Sequence, residues 1–88
     1  MEYIIAFGGT NLAIKAEGCL AHLRVGVLPL PAQISAGCGI CLKVPPGQIG
    51  TALKDLERCG VGGFRLFARK RKDGGYTYTE ITDRGAAL

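Results

Sequence analysis

The chain has 88 residues, enough for one core and little surplus stability. A hydrophobic share of 48% excludes a disordered segment, and no apolar run approaches the roughly twenty residues a membrane-spanning helix needs. The net charge is +4, but five of the eleven Lys/Arg residues fall between Arg65 and Lys72, so the basicity is local.

In chain order, Glu2–Phe7 (EYIIAF) is apolar and partly β-branched and stops at Gly8-Gly9, which predicts a buried first strand. This apolar run is too short for a signal-peptide core, so a cytoplasmic location is expected. Thr10 reads as the N-cap of a helix over Asn11–Arg24. Leu12, Ala16, Cys19, Leu20 and Leu23 form its apolar face, Gly18 is tolerated for close packing, and Gly26 marks its end. Val25–Leu30 reads as an edge strand, because Pro29 and Pro31 cannot donate ladder hydrogen bonds. Gly39–Val44 reads as a third strand, and Pro45-Pro46 pre-sets a second helix with Ile49, Ala52, Leu53 and Leu56 on one face and Gly60 as its stop. Phe64–Arg71 alternates apolar and basic residues as a half-exposed strand would. Lys72-Asp73-Gly74-Gly75 is a hairpin turn, and Tyr76–Thr82 is the returning strand.

The order β-α-β-β-α-β plus one strand predicts an α+β fold of the ferredoxin-like split βαβ type, an antiparallel sheet with two helices on one face and an extra C-terminal hairpin strand. Residues 1–82 form this single domain, and 83–88 are read as a flexible tail. In such a fold the β2–β3 loop, the start of the first helix and the end of the second gather at one end of the sheet.

Four cysteines invite a disulfide reading, but a cytosolic chain keeps its thiols reduced, so free thiols are expected. Cys19 reads as a small core residue and Cys59 as a packing residue. Cys38 sits in a loop between small neighbours that leave its sulfur little cover. A helix N-terminus nearby favours the thiolate, the nucleophilic form. Cys38 and Cys41 are therefore the candidate reactive thiols. Ser35, Gly37, Gly39, Gly8, Gly9 and Thr10 are the candidate binding residues, the glycines because they let an anion approach the backbone. The cysteine spacing supplies one close pair where a four-cysteine zinc site needs two, so no metal or cofactor is expected. His22 reads as a solvated side chain. The Arg69–Lys72 run with Tyr76 and Tyr78 could contact a nucleic acid. The simpler reading of the same run is an edge kept unpaired by charge.

Leu28-Pro29-Leu30-Pro31, Ile34-Ser35-Ala36-Gly37-Cys38-Gly39-Ile40 and the stretch PPGQIGTALKDLERCGV carry a resemblance over about Glu2 to Arg69. The chain resembles the Se/S carrier-like proteins, a small bacterial family. The resemblance implies a carrier rather than a turnover enzyme. Sulfur or selenium would be held on Cys38 as a persulfide or selenosulfide, between a donor and an acceptor protein. Cys41, where the family has an apolar or small residue, and the basic C-terminal hairpin are departures from the family. The exposed hairpin makes a homodimer conceivable. The alternative is a non-catalytic ligand-binding or interaction module of the same fold, or a nucleic-acid binder acting through that hairpin.

Overall fold

The structure is a computed structural model of the chain and describes residues 1–34 and 39–82. It contains β1 (Glu2–Ala6), α1 (Thr10–Cys19), β2 (Gly26–Pro29), β3 (Ile40–Val44), α2 (Ile49–Arg58), β4 (Arg65–Lys72) and β5 (Gly75–Ile81), with a 3-10 turn at Pro46–Gln48 before α2. All pairings are antiparallel, in the order β2-β3-β1-β4-β5. The first four strands have the ferredoxin-like order, and β5 extends the sheet beyond β4.

Side chains alternate between the two sheet faces. Tyr3, Ile5, Phe7, Leu42, Val44 and Leu66 meet Ala13, Ala16 and Leu20 of the α1 region and Ile49, Ala52 and Leu56 of α2 in the main core. Phe7 and Phe64 stack at a tilt, with ring centres 6.2 Å apart.

Several local expectations hold for the stated reasons. β2 is an edge strand ending at Pro29. The hairpin turn has positive φ at both central residues, Asp73 and Gly74, the twist that suits a two-residue connection. Gly60 ends α2 at φ 74°; its N–H reaches the Glu57 carbonyl, and that of Val61 reaches Leu56.

Other expectations are corrected. Thr10 is not the N-cap: Gly9 holds that place in extended geometry, without a side-chain hydrogen bond. The first helix stops at Cys19, five residues before Arg24. Beyond it the chain turns at Leu20–Leu23 and runs beside α2. There the Arg24 amide donates to Gln48 Oε1 at 2.9 Å and His22 Nε2 lies 2.8 Å from Asp55 Oδ2. These contacts outweigh the helical periodicity of the segment. Gly26 starts β2 instead of ending a helix. A Cβ at Gly18 would meet no atom within 4 Å, so close packing is not its role. The basic strand β4 is not the edge, because β5 covers it.

Candidate functional site

β1 leaves the sheet after Ala6, whose partner Cys41 lies near the start of β3, and β2 ends where Pro29 faces Ile40. The strand register therefore brings Gly8, Gly9 and Thr10 to the same end of the sheet as Gly39 and the β2–β3 loop. The Gly39 carbonyl accepts the Leu30 N–H at 3.1 Å and closes the base of that loop. Among the described residues, nothing lies within 4 Å of a Cβ built at Gly8, Gly9 or Gly39, so none of these crowds the backbone there. Among the described residues, the α1 N-terminus beside them has no side-chain cap and no acidic residue in its first turn to answer its amides and partial positive charge. Ser35, Gly37 and Cys38 lie outside the described residues.

The sheet face away from the helices carries a second, smaller core. Ile4, Ala6, Cys41 and Phe67 form its floor, and Ile34, Leu28 and Leu30 close over it from the β2–β3 side, with Tyr78 at the flank. A turn in which the Ile34 N–H reaches the Pro31 carbonyl at 3.0 Å aims Ile34 inward. Cys41 is fully buried here, its sulfur 3.8 Å from the Pro29 carbonyl oxygen. The hydrophobic alternation of the strands marks one buried face. It gives no sign that a loop covers the other.

Next to this core is a polar cluster. Arg69 is almost wholly buried, donates from Nε to Glu2 at 3.1 Å and lies 4.1 Å above the Tyr76 ring. Lys43 reaches Glu2 at 3.5 Å. Arg65 grips Glu80 with two hydrogen bonds of 3.0 and 2.9 Å. Of the Arg69–Lys72 run that suggested a phosphate contact, Arg69 is thus committed to a carboxylate. The Arg69 hydrogen bond holds the Glu2 carboxyl below its ordinary 4.5, and Arg65 does the same for Glu80. A lowered carboxylate pKa adds stability above the unfolded value and loses it as pH falls through the folded one. Glu2→Gln is accordingly expected to cost up to about 1 kcal/mol at neutral pH, after solvent screening. In acid denaturation series the difference from the parent should close below pH 4.5.

The cysteine expectation is corrected at the helices. Cys19, the last residue of α1, and Cys59, which caps α2, are joined as a disulfide with Cα atoms 6.6 Å apart. Neither is a plain packing residue: Cys59 is exposed and Cys19 half-buried. Periodicity put Cys19 on a core face, and nothing in the sequence pairs it with a residue forty positions away. Asp55, also missed, is buried on α2 between His22 and Arg58.

The sequence signature described as "Putative Se/S carrier protein-like" matches residues 2–63. The chain belongs to this family. The match takes in β1 through α2, with the β2–β3 loop, and ends before β4, so the basic hairpin of this Se/S carrier-like chain lies outside the matched residues. No curated protein and no solved structure matches it. Among the described residues no helix is long and apolar enough to cross a membrane.

Proposed function

We propose that this chain carries sulfur or selenium on Cys38 in the cytoplasm, between a donor and an acceptor protein. Membership of the Se/S carrier-like family, through a match that includes the Cys38 loop, is the observation that carries this reading. The Cys38 thiolate attacks the outer sulfur of a donor persulfide. The donor S–S bond breaks, the donor thiolate leaves, and Cys38 holds the S–SH group. An acceptor nucleophile then takes the outer sulfur and returns the Cys38 thiolate. Selenium would follow the same course as a selenosulfide.

Among the described residues, none crowds the backbone at Gly8, Gly9 and Gly39 and none caps the α1 N-terminus with a side chain, which supports the reading, as these are groups able to stabilise an anion at this end of the sheet. Thr10, Ser35 and Gly37 belong to the same proposed surround. Cys41 is the second thiol of the proposal. Buried under Ile34, it can resolve a persulfide only when the loop lifts.

The test is intact-mass measurement of reduced protein after exposure to a persulfide donor. The parent is expected to gain one sulfur atom that a reductant removes, and Cys38→Ser to gain none. Equal loading of both proteins would refute the assignment.

A further inference from the structure

We propose that Cys19 and Cys59 form a thiol–disulfide exchange site, distinct from the Cys38 loop, which takes a dithiol reductant as its substrate and releases α1 from α2 when it opens. Three observations lead there. First, the two sulfurs are unequal. Cys59 is exposed at the α2 C-cap and is held there by the Gly60 turn, whereas Cys19 is half-buried. An incoming thiolate therefore meets Cys59, and Cys19 is the leaving group.

Second, an acceptor for the reduced form stands beside Cys19. The Asp55 carbonyl oxygen accepts the Cys59 N–H at 2.9 Å and also lies 3.1 Å from Cys19 Sγ. Once the S–S bond is broken, a Cys19 thiol has this carbonyl oxygen within reach as its acceptor. Third, α1 is lightly held. Within the helix the fully buried residues are two alanines, Ala13 and Ala16; the large anchor, Leu20, lies just past its last residue, and the connector adds the His22–Asp55 contact and the Arg24–Gln48 hydrogen bond. The disulfide is the covalent tie in this thin interface. Exposed disulfides are the labile ones, and those of reducing compartments are usually transient.

The exchange balances in two steps. One thiolate of the dithiol attacks Cys59 Sγ and forms a mixed disulfide. The Cys19–Cys59 bond breaks, and its electron pair leaves on Cys19, which takes a proton from water. The second thiolate of the reductant then attacks its own first sulfur and expels the Cys59 thiolate, which is also protonated. Two electrons pass to the cysteine pair, and the dithiol becomes a disulfide.

The experiment uses the full chain with Cys38→Ser, so that chalcogen loading cannot affect it, equilibrated across ratios of reduced to oxidised dithiothreitol and of reduced to oxidised glutathione. Thiols are trapped by alkylation and located by peptide mass measurement. Cys19 and Cys59 are expected to become labelled together in one two-electron transition within the glutathione range. The circular dichroism of the fold should persist, while amide exchange in α1 speeds up about tenfold or more and that of β1 and β3 does not. The Cys19→Ser/Cys59→Ser protein should show the same α1 exchange without any reductant. A pair that stays oxidised throughout the glutathione series, a different pairing in the oxidised protein, or α1 exchange that does not change on reduction would each overturn the proposal. Failure of the Cys38 loading test leaves these readouts unaffected.

Discussion

Replacing Ile34 by alanine is expected to destabilise the protein by about 2 to 4 kcal/mol and to speed alkylation of Cys41. Ile34 is only 4% exposed although it lies in a loop. It packs on the helix-free face against Ile4, Ala6, Cys41 and Phe67. Truncation removes three carbons and leaves a void over Cys41, because the strands beneath are pinned on both sides and cannot close it. Ile34→Val keeps most of the contact and should cost about 0.5 to 1.5 kcal/mol. Urea denaturation gives the energies, and timed labelling of the folded protein gives the access to Cys41. If Cys41 in Ile34→Ala labels no faster than in the parent, Ile34 is not what covers it. The consequence for function is direct, since the same substitution loosens the loop proposed to carry the chalcogen.

Removal of the Cys19–Cys59 bond has the other large expected effect. The bond closes a separation of 40 residues, for which the chain-entropy model gives an upper figure of about 4 kcal/mol. Small domains hold about 5 to 15 kcal/mol in total, so the double alanine variant should stay folded at room temperature with a much thinner margin. Its thermal midpoint should drop by up to roughly 15 to 30 °C. Calorimetry of the parent, the reduced parent and the double variant checks this. The reduced parent and the variant should agree, and a midpoint equal to that of the oxidised parent would show that the bond adds nothing to the fold.

The sequence by itself determined the elements whose cause is local. The continuous apolar run in EYIIAF, the Asp73-Gly74 turn that demands positive φ, the prolines after β2 and β3, and Gly60 in the turn that ends α2 all act within a few residues of themselves. With the order of strands and helices they were enough for the ferredoxin-like arrangement, and the loop motif around Cys38 was enough for the family. Tertiary structure alone decided what depends on distant partners. The first helix stops at Cys19 because the following residues gain His22–Asp55 and Arg24–Gln48 contacts with α2, which periodicity cannot register. The Cys19–Cys59 bond, the Arg69–Glu2 pair and the burial of Cys41 beneath Ile34 likewise join residues far apart in the chain. No local pattern encodes such pairs, because the free energy that selects them exists only once the sheet has brought the partners together.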